Sequence, residues 1–174
     1  MESTEMNVLL LDPKFTDRAW QSASFHVFDK PRMSIARRAK NVFVIVDANW
    51  LPLVSRFVSL VNRRNQLRAL AVRFDDQARW LPPMLERAKL RNLRNTLVHS
   101  GGDTLSRVLN AWRIGAQHEL IADARAFDDT LMVISCEPTT YEVSFENLSA
   151  LKGIAKSDRT AFEVAEDGSY LHWP

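Results

Sequence analysis

The chain has 174 residues, 46% of them hydrophobic and 25% charged, which is ordinary for a globular protein and leaves room for one domain or two small ones. Its one cysteine, Cys136, cannot form an internal disulfide, and no Cys/His cluster has zinc spacing, so a reducing cytoplasm is the expected location. The net charge of +2 conceals an asymmetry: residues 30–94 carry 15 Lys and Arg against 4 Asp and Glu, whereas residues 95–174 carry 6 against 12.

The opening MESTEMNVLLLD puts acids before the apolar run, the reverse of a secretory signal. The longest apolar stretch, NVFVIVDANWLPLV, is interrupted by Asp47 and Asn49 well short of membrane-spanning length, so no membrane partner is expected. NVLLLDP and SFHVF predict strands, with a short helix at 34–40 after them. NVFVIVD is short, β-branched and almost wholly apolar, the pattern of a strand buried on both faces. Trp50, Leu53, Val54, Phe57, Val58, Leu60 and Val61 then recur at helical spacing over 50–64, with Asn49 as the cap and Pro52 in the first turn. ALAVRF (69–74) is a second such strand, and a helix over 82–91 opens on Pro82 and Pro83. RNTLVH (94–99) is a third, followed by SGGD and a helix capped by Asp103, with Leu105, Val108, Leu109 and Trp112 on one face and an end near Gly115.

Strand and helix thus alternate three times, which implies a parallel sheet covered by helices. After residue 117 the pattern changes to ELIADARAF, TLMVIS and TTYEVSF, short strands with a hairpin turn at Asp128-Asp129. The expected fold class is α/β: a small three-layer parallel-sheet module over 1–117, followed by a small β-rich α+β module over 118–174.

The ending carries a distinctive set of features: the hairpin FDDTLMV, the strand and short helix of YEVSFENLSAL, S-D-R followed by F-E-V, and the closing D-G-S-Y-L-H-W-P. In combination they resemble the bacterial family known as domain of unknown function 2442, over roughly the last third of the chain. That family occurs beside helix-turn-helix segments and small toxin-like partners, so the resemblance implies regulation or complex formation with a protein partner more than catalysis. Members continue past the motif with an acidic segment, whereas this sequence stops at Pro174. The signature also has a physical logic. Asp167-Gly168 makes a tight turn, after which Leu171 and Trp173 face one side of a strand and Tyr170, His172 and Pro174 the other.

Open α/β sheets bind ligands beyond the carboxyl ends of their strands. Those ends read V-D-A-N (Asp47, Asn49), R-F-D-D (Asp75, Asp76) and H-S-G-G-D (Ser100, Asp103). Asp47, Asp75, Asp76 and Asp103, gathered together, would suit Mg²⁺ and phosphodiester cleavage, because hard cations prefer oxygen ligands. VIVDANW is similar to the first strand of PIN/NYN nucleases, and SGGD to their later Ser-Gly-Asp loop. LRNTLVHS, with Arg94, Asn95 and His99, is similar to the R-x₄-H motif of HEPN ribonucleases, which act without metal; those domains are helical, whereas TLVH fits a strand that puts Arg94 and His99 on opposite faces. Each aspartate also has a capping or turn role that needs no metal. SGGD can offer backbone N–H groups to an anion at a helix start but is not a P-loop, and no catalytic triad or cofactor fingerprint appears.

The basic middle is rich in arginine, whose planar guanidinium suits phosphate. Arg37, Arg38, Arg63, Arg64, Arg68, Arg91 and Arg94 are the candidate contacts to nucleic acid. The expected function is a non-enzymatic regulatory or complex-forming bacterial protein that binds nucleic acid through these arginines. No catalytic residue is assigned, and no cofactor is expected unless the alternative, a Mg²⁺-dependent nuclease, holds.

Overall fold

VFVIVD forms the centre of a parallel sheet because every residue from Val42 to Val46 is buried, so both faces of the strand are covered. The computed structural model describes residues 5–75, 93 and 95–174, and the chain divides into two compact units, Met1–Gly102 and Asp103–Pro174. The first unit holds strands β1 (Met6–Leu11), β2 (Phe25–Phe28), β3 (Val42–Asp47), β4 (Leu67–Arg73) and β5 (Thr96–His99). They lie in the order β2-β1-β3-β4-β5, all parallel. This is one of the two common orders of doubly wound sheets, with its reversal of direction between β1 and β3.

Side-chain alternation sorts the faces. Leu9, Val44, Val46, Leu70 and Val72 pack with helices α1 (Met33–Arg38) and α2 (Leu51–Arg63). The alternate positions Phe43, Ile45, Ala69 and Ala71 are also buried, and Trp20 is buried between Phe15, stacked at 6.1 Å, and Phe25, edge-on at 5.2 Å.

Two details of the predicted helix at 50–64 are corrected. Asp47, not Asn49, supplies the cap, its carboxylate accepting from the Asn49 N–H at 2.9 Å and holding a 3-10 turn, Ala48–Trp50, ahead of α2. Trp50 and Leu53 are not on the buried face: they are 44% and 67% exposed. The buried stripe is Leu51, Val54, Phe57, Val58 and Val61, and Leu53 lies about 200° round the helix from Leu51 at about 100° per residue. The helix expected over 82–91 lies outside the described residues.

In the second unit, helix α3 (Gly102–Ile114) buries Leu105, Val108, Leu109 and Ala111. The helix starts at Gly102, so Asp103 is an acid of the first turn rather than the cap expected from the sequence. Half-buried Trp112 donates its indole N–H to the Cys136 carbonyl at 2.9 Å. The compositional change at 117/118 falls just after this helix. Strands β6 (Ile121–Phe127), β7 (Thr130–Ser135) and β8 (Thr140–Ser144) follow as an antiparallel sheet in chain order. The β6–β7 hairpin turns at Asp128-Asp129, with Asp128 at φ 49°.

The closing signature forms a small ribbon in which β9 (Glu163–Val164) pairs with β10 (Leu171–His172). Gly168 turns it at φ 79°, and its carbonyl accepts from the Ile121 N–H at 2.8 Å. Leu171 and Trp173 pack toward Phe145 and Leu151, whereas Tyr170, His172 and Pro174 are exposed. The arginine of S-D-R, Arg159, is buried over the Phe145 ring at 4.6 Å, with Nη1 on Asp129 at 2.5 Å and Nη2 on Glu146 at 3.1 Å. It is a tie within this unit.

Candidate functional site

The two ends of the parallel sheet carry the polar chemistry of the first unit, and they differ in kind. At the carboxyl ends, Asp12 follows β1, and Asp47, Arg73 and His99 are matched across β3, β4 and β5. Alternation places Asp47, Arg73 and His99 on the face away from α1 and α2, because their neighbours Val46, Val72 and Val98 pack toward those helices. Arg73 donates from Nε to Asp12 Oδ2 at 2.7 Å and from Nη1 to the Ser100 carbonyl at 2.8 Å. Both charged side chains are almost wholly removed from solvent, at 6% and 0% exposure. The second Asp12 oxygen accepts the Lys14 N–H at 3.1 Å.

Outside this pair, the Lys14 ammonium donates to the Asp75 carboxylate, and Arg73 Nη1 lies 3.9 Å from Asp75. The hydrogen bond from Lys14 holds the Asp75 carboxyl below the usual carboxylate value; burial opposes it, and the charges of Lys14, Arg73 and His99 add to the lowering. The same bond and the Asp75 charge raise the Lys14 ammonium above its usual value. His99 is buried, with Nδ1 3.0 Å from the Gly101 carbonyl oxygen.

Of the four aspartates read from the sequence as metal ligands, Asp47 and Asp75 stand at this end of the sheet, Asp47 accepting from the Asn49 N–H and Asp75 from the Lys14 ammonium. Asp103 belongs to the first turn of α3 in the second unit, and Asp76 lies outside the described residues. Among the described residues, no group of three or more His, Cys, Asp and Glu side chains is arranged to hold a metal ion. Thr96–His99 is a strand, so His99 does not sit in the helical setting of an R-x₄-H ribonuclease motif, and Arg94 lies outside the described residues.

Asp12 and Arg73 were not among the sequence candidates. A signal for them existed: Arg73 is the only charge within ALAVRF, and a cation in a doubly buried strand requires an anion. Nothing local identified which one, since the two residues are 61 positions apart.

The amino ends of the strands collect the arginines. Strands β3 and β4 run away from this edge, so the C-terminal ends of α1 and α2 arrive at it, bringing Arg37, Arg38, Arg63 and Arg64, while Arg68 stands at the start of β4. Two asparagines turn the chain here, Asn41 at φ 45° and Asn65 at φ 57°, conformations that asparagine tolerates better than most residues. Arg64 Nη1 donates to the Ala36 carbonyl at 2.7 Å, satisfying a free carbonyl at the end of α1. Arg68 donates from Nε to Asn41 Oδ1 at 2.8 Å and from Nη1 to the Asn65 carbonyl at 3.1 Å.

Arg37, Arg38, Arg63 and Arg64 are exposed and Arg68 is half-buried, with exposed Lys40 beside them. Among the described residues none of these five arginines forms an ion pair with a carboxylate. Part of this charge complements the negative ends of two helices, yet each guanidinium has more donors than the contacts above use. Arg91 lies outside the described residues, as does Arg94.

Among the described residues no helix is long and apolar enough to cross a membrane. No family model, curated protein or solved structure matches the chain.

Proposed function

We propose that this chain is a non-enzymatic regulatory or complex-forming protein that binds nucleic acid through the arginine edge of its α/β unit. The observation that carries the proposal is the convergence of Arg37, Arg38, Arg63, Arg64 and Arg68 on one edge without carboxylate counter-ions among the described residues. Phosphates supply the missing anions, and the fork of the guanidinium matches their geometry. The ion pairing at the opposite edge supports a role without hydrolysis: Asp12 is neutralised by Arg73, and Asp75 by Lys14. The closing D-G-S-Y-L-H-W-P ribbon, through its resemblance to domain of unknown function 2442, supports regulation and a protein partner.

The test is fluorescence anisotropy with labelled RNA and DNA, single- and double-stranded, between 50 and 200 mM salt. Contact with three to five phosphates of duplex DNA gives a slope of log K against log salt of about −3 to −4.5. Paired Arg37→Glu and Arg63→Glu substitutions are expected to weaken binding more than tenfold on every sequence. A flat salt dependence, or affinity unchanged in the pair, removes the proposal. Degradation of the same probes that needs Mg²⁺ or Mn²⁺ and disappears in Asp47→Ala would replace it with a metal-dependent nuclease.

A further inference from the structure

The carboxyl end of the sheet also bears an open crevice of about 700 Å³, separate from the Asp12–Arg73 tie except that Asp12 forms part of its wall. It is bounded by Pro13 after β1, by Phe28 at the end of β2 and Asp29 just after it, by Trp50 after β3 and by Arg18 from the connection between β1 and β2. It therefore lies where the order of the sheet reverses, the place at which doubly wound sheets bind small molecules. Its volume falls within the range of small-molecule sites, roughly 300–1,000 Å³.

Three of its side chains keep groups that a ligand could engage. Trp50 is 44% exposed and displaced from the buried stripe of α2 into the 3-10 turn, and its side chain borders the crevice. Arg18 is fixed by Nη1, which donates to the Phe15 and Asp17 carbonyls at 2.6 and 2.9 Å, while Nε and Nη2 bond no described residue. Asp29, at the tip of β2, accepts no hydrogen bond among the described residues. An acidic side chain about twenty residues after the first strand is the device by which the dinucleotide-binding members of doubly wound sheets hold a ribose hydroxyl, and Asp29 stands in a comparable place. Asp12 competes for none of this, because its two oxygens are taken by Arg73 and Lys14.

From this arrangement we infer that the crevice binds a nucleoside monophosphate, the base stacked on Trp50, the ribose hydroxyls donating to Asp29 and the phosphate held by Arg18. The loop after β1, LDPKFTDRAW, contains no glycine, so the close backbone approach needed by a pyrophosphate is missing and one phosphate on a side-chain cation is the matching ligand. The site is at the opposite end of the strands from the arginine edge and stands independently of nucleic-acid binding there.

The experiment is calorimetric titration of the full chain with AMP, GMP, CMP and UMP, with adenosine and inorganic phosphate as partial ligands and tryptophan fluorescence recorded in parallel. Expected are saturable binding of one equivalent of at least one monophosphate, weaker binding of both partial ligands, and quenching that is lost in Trp50→Leu. Asp29→Ala and Arg18→Ala should each raise Kd at least tenfold with an unchanged far-UV spectrum, and Arg37→Glu with Arg63→Glu should leave Kd unaltered. Because Arg18 also fastens its own loop, Asp29→Ala and Trp50→Leu test the site even if Arg18→Ala unfolds. The inference fails if none of the four monophosphates binds at 1 mM, if adenosine binds as tightly as AMP, or if Asp29→Ala and Trp50→Leu leave Kd unchanged.

Discussion

Replacing Arg73 by methionine keeps most of the aliphatic volume of a buried strand residue and deletes the guanidinium. Two bonds disappear, Nε to Asp12 at 2.7 Å and Nη1 to the Ser100 carbonyl at 2.8 Å. The Asp12 carboxylate, with 0% of its side chain exposed, is left among the described residues with only the Lys14 N–H at 3.1 Å. Stranding one member of a buried ion pair costs about 3–5 kcal/mol, a large share of the roughly 5–15 kcal/mol that holds an ordinary domain together. Removing both charges is a different perturbation: Asp12→Val with Arg73→Met leaves no unpaired ion and is expected to lie within about 1–2 kcal/mol of the parent, giving a coupling energy above about 2 kcal/mol. Urea unfolding followed by far-UV circular dichroism gives the four stabilities. Hydrogen exchange at the Val44 and Leu70 amides assigns the change to the α/β unit. A cost below about 1 kcal/mol for Arg73→Met alone, or a double variant as unstable as the sum of the singles, would refute the view that the pair is a closed, mutually dependent tie.

Three further outcomes are expected. Gly168→Ala should destabilise the second unit by at least about 1–3 kcal/mol, since φ 79° is strained for alanine and the added carbon would overlap the Ile121 carbonyl oxygen; a melting curve of the variant superimposable on the parent would contradict this. Burial pushes the Cys136 thiol up to about 12, only partly opposed by the Arg107 charge, so at pH 8 an aromatic disulfide reagent should modify it at the rate of unfolding; rapid labelling of the native protein would show the site to be open. Lys14→Gln should move the Asp75 titration upward in a carboxyl-detected NMR experiment, because Lys14 supplies the main effect holding it below 3.8. By linkage, the contribution of Asp75 to stability is present above pH 3.8 and is lost as pH falls through the depressed folded value, whereas that of Lys14 is present below 10.5 and is lost as pH rises through its raised value. An Asp75 midpoint unchanged by Lys14→Gln would mean the pair does not persist in solution.

The parallel sheet was legible because its strands declare themselves locally. VFVIVD and ALAVRF are apolar at both alternating sets of positions, and only a doubly covered strand tolerates that. The final ribbon was legible for a related reason, since an Asp-Gly turn and the Leu171/Trp173 alternation fix its geometry within eight residues. Trp50 was misread because a helical stripe extended backward by one residue still fits the period, and the Asn49 N–H bond to Asp47 that holds a 3-10 turn before Leu51 leaves no mark in residue spacing. Leu53 was misread because three-residue spacing from Trp50 reaches it, although it lies about 200° round the helix from Leu51. The arginine edge was foreseen as a composition but not as a place. Arg37 and Arg68 are 31 positions apart, and only the return of α1 and α2 to the starting edge of the sheet brings their segments together. The Asp12–Arg73 tie is of the same non-local kind, and the crevice adds to it the free groups of three separate loops.

The length of β3 has a consequence for how the two polar ends relate. At about 3.3 Å per residue, its six residues set them roughly 20 Å apart, more than twice the screening distance of about 8 Å at physiological salt. A charge arriving on the exposed arginines of one terminus is thus largely screened from the exposed groups of the other. Strong communication between them would travel mechanically, as a shift of whole strands like rods through a tightly filled interior, and a sheet buried on both faces is stiff against that kind of sliding.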